Sequence, residues 1–262
     1  MKNIMLPAPH KILSVTKETQ AEYTFRVACD ASCGHGQFFQ LSIPKVGEAP
    51  ISVSAKGDGW VEFTIRKVGR LTEGVFGLTP GDTLFMRGPY GNTFPVDEFT
   101  GKPLAVIAGG TGLAAVRSML HYFEANPADF PAVHLIAGFR DIDSVLYAEE
   151  LARFKQSFSA ICTLDNTSAE GFETGFVTAY IGKLPLADGC NVVIVGPPAM
   201  MSRAAEECLK NGAREDNIWM AFERKMSCAV GKCGHCKIDE TYVCLEGPVF
   251  NYTKAKALLD YI

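Results

Sequence analysis

The hydrophobic rhythm of this chain changes at Thr100-Gly101-Lys102-Pro103, and that switch constrains the fold more than any other feature. Before it, from residue 11 to about 95, apolar and polar residues alternate in short runs at 23–27, 38–43, 51–54, 61–68 and 83–87. Turn signals such as Lys56-Gly57-Asp58-Gly59 and Pro80-Gly81-Asp82 separate them. A period of two marks half-buried strands, and many short strands at this spacing predict a small barrel or sandwich. After the switch, 104–108 is continuously apolar, as a strand buried on both faces requires. A helical stretch follows, with Leu113, Val116, Leu120 and Phe123 on one face. Strands expected at 133–137, 160–164 and 191–195 then alternate with helices at 147–154, 178–183 and 199–210, the last closed by Asn211-Gly212. That alternation predicts a parallel sheet with helices on both faces. The expected layout is a β-barrel over 1–99, an α/β domain over 100–222, and a cysteine-rich lobe with a short helical tail over 223–262.

Composition removes several function classes. Hydrophobic residues make up 47% of the chain and charged residues 21%, so a packed core can form. Twenty-five basic against 29 acidic residues leave a net charge of −4, which argues against nucleic-acid binding through bulk phosphate attraction. No apolar run reaches the ~20 residues of a membrane helix, so no membrane span is expected. Residues 1–10 contain two prolines and no long apolar core, unlike a signal peptide. A cytoplasmic location is therefore expected, with the nine cysteines serving as reduced thiols or ligands.

Four of those cysteines crowd one segment, Cys228-x4-Cys233-x2-Cys236-x7-Cys244. Cys-x4-Cys-x2-Cys with a more distant fourth Cys is the plant-type spacing for a 2Fe–2S cluster. Four thiolates must converge on two irons from one curling loop, and Gly231 and Gly234 allow that loop to turn its N–H groups toward sulfur. Structural zinc is the competitor, but zinc sites pair short knuckles and only Cys233 and Cys236 form one. Cys29, Cys33, Cys162, Cys190 and Cys208 are expected to be packing residues.

Gly110-Thr111-Gly112-Leu113 follows a buried strand and opens a helix, the context a phosphate-cradling turn needs. Alone it does not separate a nucleotide site from a ligand-free strand-to-helix turn. The acidic residue that the usual dinucleotide arrangement places about 20 residues further on is not evident, and Asp141 is too far along. The ligand crevice of such a sheet lies at the carboxyl ends of its strands, where Gly110, Gly112, Gly138, Asp165 and Gly196-Pro197 are all expected.

Three stretches of the barrel half, Pro50-Ile51-Ser52-Val53, Arg66-Lys67-Val68-Gly69-Arg70-Leu71-Thr72 and Gly88-Pro89-Tyr90-Gly91-Asn92, precede this α/β pattern. In that order the chain resembles the ferredoxin–NADP reductase superfamily. The run from Glu223-Arg224-Lys225-Met226 to Cys236 is similar to its iron–sulfur electron-transfer subunits, which serve dihydroorotate dehydrogenases, hydrogenases and, the nearest resemblance, anaerobic sulfite reductases. The resemblance covers almost the whole chain. It implies that Pro50, Ile51, Ser52 and Val53 run beside a flavin ring, with Ser52 at its reactive edge. It implies that Val68, Gly69, Leu71 and Thr72 hold the FAD pyrophosphate through N–H groups and a hydroxyl. It also implies that Gly110, Thr111, Gly112, Leu113, Gly196 and Pro197 receive a nicotinamide nucleotide, and that Glu223 lies near the flavin–nicotinamide contact. Relatives carry Arg before the Pro-x-Ser triplet, where this chain has Ala49; Arg66 or Arg70 could supply that charge to FAD or FMN. Arg140 and Asp165 are candidate nucleotide contacts, and Asp141 beside Arg140 would oppose a 2′-phosphate, which leans the expectation to NADH over NADPH.

The implied activity is a relay from NAD(P)H through FAD and a 2Fe–2S cluster to iron–sulfur and siroheme-containing partner subunits of a sulfite reductase. The same relay could serve a dihydroorotate dehydrogenase, a hydrogenase or a bifurcating transhydrogenase. A non-enzymatic alternative is a nucleotide sensor with a zinc-stabilised tail. An electron exit face is expected around Lys225, Lys232, His235 and Lys237.

Overall fold

A computed structural model describes residues 5–261. Its strands and helices, in chain order, begin with β1 (Ala8–Lys17), β2 (Glu22–Ala28), β3 (Phe38–Ile43), β4 (Gly47–Ser52), β5 (Ala55–Gly57), β6 (Trp60–Arg66), α1 (Arg70–Phe76) and β7 (Thr83–Tyr90). Next come α2 (Val96–Phe99), β8 (Leu104–Gly109), α3 (Gly112–Ala125), β9 (Val133–Phe139), α4 (Ala148–Ser157), β10 (Ser159–Leu164), β11 (Glu173–Thr174), β12 (Asn191–Val195), α5 (Pro198–Lys210) and β13 (Ile218–Ala221). The chain ends with β14 (Lys237–Ile238), β15 (Thr241–Tyr242), α6 (Val243–Glu246), β16 (Val249–Asn251) and α7 (Tyr252–Leu259).

These elements form two compact units, one of residues 5–93 with 222–249, the other of 94–221 with 250–261. The boundaries differ from the three-part layout expected from sequence. The cysteine segment groups with the barrel, and the tail helix α7 groups with the α/β unit.

In the first unit the order β4-β3-β7-β1-β2-β6-β5 places β4 and β5 at opposite edges of one antiparallel sheet. Yet only Val53 and Ser54 separate them in sequence. Val53 N–H donates to Gln37 O at 3.0 Å, and Ser54 N–H donates to Glu62 O at 2.8 Å, so this dipeptide bridges the two edges and curls the sheet into a barrel. The interior is filled by Phe25, Phe39, Phe63, Leu41, Ile65 and Leu84, all buried, each contributing roughly 1.5–3 kcal/mol. The segment 11–95 is not all-β, because α1 interrupts it. Its seven residues include Gly74 and lack a long apolar stripe, so period-3.6 patterning gives no warning of it.

In the second unit the sheet order is β11-β10-β9-β8-β12-β13-β16. The pairs β9–β10, β8–β9, β8–β12 and β12–β13 are all parallel. The central strands β8 and β12 are buried along their whole length, as continuous apolar runs require. Helix α3 buries Leu113, Val116, Leu120 and Phe123, the face its periodicity predicts. The stretch expected as a helix at 178–183 is a 3-10 segment, Val177–Lys183.

Candidate electron-transfer site

The cysteine loop is built from its sulfurs outward. The N–H groups of Val230, Lys232 and Cys233 donate to Cys228 Sγ at 3.4, 3.3 and 3.4 Å, and Gly231 N–H donates to Cys244 Sγ at 3.2 Å. Ala229, Gly231 and Gly234 take φ of 59°, 69° and 79°, the left-handed conformations that turn successive N–H groups inward. Cys228 and Cys233 are in side-chain contact, as are Cys236 and Cys244. Among the described residues no three His, Cys, Asp or Glu side chains converge on a single ion. Two thiol pairs, each backed by amide donors, suit a ligand set of four sulfurs for two irons. The Cys233 thiol is lowered to about 7, first by the His235 N–H and then by the Cys228 backbone, whereas burial pushes Cys244 up to about 12. Cys228, Cys236 and Cys244 are buried and Cys233 is exposed. A cleft of about 570 Å³ opens beside Cys244, walled by Ala229, Val230 and the β7 end from Arg87 to Asn92.

The expected flavin strand Pro50-Ile51-Ser52 lies in β4, which pairs with β3 on one side and leaves its other edge open. Val53 is 1% exposed and belongs to the barrel core, so its side chain serves packing. At the expected phosphate turn the backbone is closed on Thr72. The N–H groups of Val68 and Gly69 donate to Thr72 Oγ1 at 2.9 and 3.0 Å, and the Thr72 hydroxyl donates to Gly69 O at 2.9 Å. These groups already satisfy one another, so the turn is preformed and a phosphate would have to exchange with Thr72. Leu71 packs against the barrel core. Arg66 is engaged with Glu22 at 2.9 Å. Arg70 remains exposed on α1.

The residues expected at a nucleotide come together at the carboxyl edge of the parallel sheet. Gly110 N–H donates to Gly138 O at 2.8 Å, and Asp165 N–H donates to Phe139 O at 3.0 Å. Gly112 has no room for a side chain: a Cβ there would fall on the Val195 carbonyl, within van der Waals contact. Thr111 is the N-cap of α3, and its side chain makes no capping bond. Gly196-Pro197 opens α5, with Pro197 as its N-cap. Leu113 is buried and its N–H donates to Gly110 O at 3.2 Å, which supports the turn. Arg140 pairs with Asp141 at 2.8 Å, and this bond is the main reason the Asp141 carboxyl lies below its ordinary value. Burial raises the Asp165 carboxyl. Glu223 retains solvent-accessible surface yet is closely surrounded, and desolvation raises its carboxyl.

Sequence reasoning missed Arg87 and Gln40, which grip the cysteine loop, and Glu48, which holds Arg87. Arg87 Nη1 donates to Cys228 O and Nη2 to Ser227 O, each at 2.7 Å. Its Nε and Nη2 also meet the Glu48 carboxylate at 2.8 and 2.5 Å. Gln40 Nε2 donates to Met226 O at 3.4 Å. One signal was available: Gln40 is a polar interruption in Phe38-Phe39-Gln40-Leu41. A single strand arginine gives none, because it reads as solvent-facing. The five other cysteines are buried packing residues, as expected.

The model of the oxidoreductase NAD-binding domain matches residues 106–206, and that of the iron–sulfur cluster binding domain of dihydroorotate dehydrogenase B matches residues 223–256. The chain is 36% identical to sulfhydrogenase 1 subunit gamma of Pyrococcus furiosus over 96% of its length and 95% of the relative's. The chain belongs to this family of electron-transfer subunits. A second member, the probable dihydroorotate dehydrogenase B (NAD(+)) electron transfer subunit of Methanocaldococcus jannaschii, is 31% identical over 97% of this chain and 93% of its own. The fold matches a chain of the NADH-dependent reduced ferredoxin-NADP oxidoreductase with a TM-score of 0.81, covering 97% and 92% of the two chains at 21% identity. The family member is thus an oxidoreductase subunit with the ferredoxin reductase-like fold. The expected set of NAD(H), FAD and an iron–sulfur cluster agrees with both matched domains and with that fold. These relatives serve the hydrogenase and dihydroorotate alternatives and do not single out a sulfite reductase. Among the described residues no helix is long and apolar enough to cross a membrane.

Proposed function

We propose that this subunit takes electrons from NAD(P)H and delivers them one at a time to a partner subunit, with FAD on the barrel and a 2Fe–2S cluster in the cysteine loop. The observation that carries this reading is the pairing of four loop thiols beneath four inward N–H groups, in the unit that also holds the strand expected beside a flavin. When bound, the flavin supplies conversion between electron pairs and single electrons, and the cluster supplies single-electron transfer. The chain's own work is positioning. The glycine turn at Gly110–Gly112 offers N–H groups and a helix terminus to a dinucleotide phosphate. Ser52 and the open edge of β4 would orient a ring, and Glu223 would border the hydride donor. Arg140 is held by Asp141, so its charge is partly spent before any ligand arrives, which favours NADH.

The acceptor we favour is the catalytic partner of a hydrogenase-type complex, on the 36% identity to a sulfhydrogenase gamma subunit. A dihydroorotate dehydrogenase partner ranks next, on the 31% relative. The siroheme-containing sulfite reductase partner implied by the resemblance ranks behind both. A cytoplasmic location is supported by the nine cysteines, which suit a reducing compartment. Electrons would leave near the exposed Cys233, beside Lys225, Lys232 and His235; Lys237 contributes less because Glu240 pairs with it at 3.0 Å.

The test is anaerobic purification with iron, sulfide, zinc and flavin quantified on one sample, followed by NADH and NADPH titration of the visible spectrum. About two irons per chain with flavin bleaching by a nucleotide is the expected result. Stoichiometric zinc without colour would overturn the reading. Assaying the native complex with hydrogen, dihydroorotate and sulfite separately assigns the partner.

A further inference from the structure

Three adjacent strands, β4, β3 and β7, present Glu48, Gln40 and Arg87 to the backbone that leads into the first cysteine ligand. Gln40 is the register partner of Pro50 on one side and of Arg87 on the other. Gln40 and Arg87 take the three consecutive carbonyls of Met226, Ser227 and Cys228. The Arg87 side chain is 4% exposed, and its guanidinium is fully engaged, since Nη1 also meets the Tyr90 hydroxyl at 3.2 Å. Glu48 lies two residues before Pro50, on the same face of β4 because strand side chains alternate. A rigid guanidinium fork therefore joins the strand expected beside the flavin to the loop that carries Cys228.

We propose that Arg87 is a positioning residue for electron transfer: by bridging Glu48 on the flavin strand to the Ser227 and Cys228 carbonyls, it fixes the spacing of the two redox centres and places a cation beside the cluster. This rests on the relay proposed above. Two physical effects follow. The fork ties irregular backbone to a sheet, and a planar guanidinium does this with several simultaneous bonds that an ammonium cannot match. A fixed cation in a poorly solvated site also stabilises the negative charge a cluster gains on reduction. Loss of Arg87 alone leaves Glu48 facing the loop with no cation beside it, which disfavours reduction further.

The experiment uses the full chain, purified anaerobically with flavin and cluster, and reads the cluster midpoint potential by EPR-monitored titration alongside iron content and the flavin-to-cluster transfer rate. The variants are Arg87→Met, Arg87→Lys and the double variant Glu48→Gln/Arg87→Met. In Arg87→Met the electron-sharing equilibrium should move toward the flavin about tenfold, ~59 mV for a one-electron couple, with slower transfer. Arg87→Lys should restore most of the potential but not the rate, because charge returns without the fork. The double variant should fall between Arg87→Met and wild type in potential. A purely structural anchor predicts no such order. If Arg87→Met does not fold, the lysine and double variants carry the same readout. Unchanged potential and transfer rate in loaded variants would overturn the proposal. A wild-type protein without iron would instead overturn the relay itself.

Discussion

The cysteine loop of the first unit and the glycine turn of the second face the same problem, irregular backbone that must hold its shape to bind, and they solve it differently. The loop spends conformation: Ala229, Gly231 and Gly234 adopt positive φ so that N–H groups reach sulfur, and Arg87 grips the chain from the sheet below. The turn spends space: Gly112 is required because its backbone lies against the Val195 carbonyl. Its helix is held by Arg117, whose guanidinium meets Glu150 at 2.8 and 2.5 Å, with His121 bonded to the same carboxylate at 2.9 Å. Arg87 and Arg117 are each buried against a glutamate, and Arg87 also donates to loop carbonyls. Arg117 joins one helix to another, while Arg87 joins a sheet to a ligand loop.

The strongest way to break this contrast is Cys228→Ser, which removes the sulfur that accepts three N–H groups. Iron and visible absorption should be lost while the α/β unit still binds NADH, measured by iron assay and nucleotide fluorescence. Next is Gly112→Ala. The obstructing atom is backbone and cannot swing aside, so a stability loss of about 1–3 kcal/mol is expected by denaturant unfolding, with weakened nucleotide binding. Gly110→Ala is the matched control. Gly110 has φ of 53° and open space around its Cβ position, so only left-handed strain of ~1–2 kcal/mol applies. Equal losses at Gly110 and Gly112 would erase the distinction between space and conformation.

The smallest effect is pH-dependent. Burial alone would raise the Glu150 carboxyl, but hydrogen bonds from Arg117 and His121 outweigh it and hold it at about 2. Its folded value lies below the unfolded one, so its contribution is present above the ordinary carboxylate range and is lost as pH falls toward 2. Glu150→Gln should flatten that part of the stability curve, read by thermal unfolding from neutral to acidic pH. An unchanged curve would remove Glu150 as the anchor of α3.

Much of this was legible in the residues alone. The strand Asn191–Val195 announces itself because both faces are buried and every position from Val192 is apolar. The cysteine spacing points to iron–sulfur chemistry, and the matched iron–sulfur cluster binding domain spans the same segment. Two kinds of feature were hidden. The hydroxyl of Thr72 closes its own turn, an arrangement that depends on local backbone geometry rather than residue type. Arg87 and Glu48 sit 39 residues apart, and only the sheet register brings them together beneath a loop 140 residues further on. Periodicity records which face a side chain takes, not what later covers that face.

The route of the polypeptide carries one more consequence. It passes from one compact body to the other after residue 93, again after 221 and again after 249. Neither body can therefore be excised as a single continuous stretch: a clone ending at 221 lacks α7, and one beginning at 222 supplies the cysteines without the strands that grip them. Recombination or engineering that exchanges this reductase between complexes must move it whole.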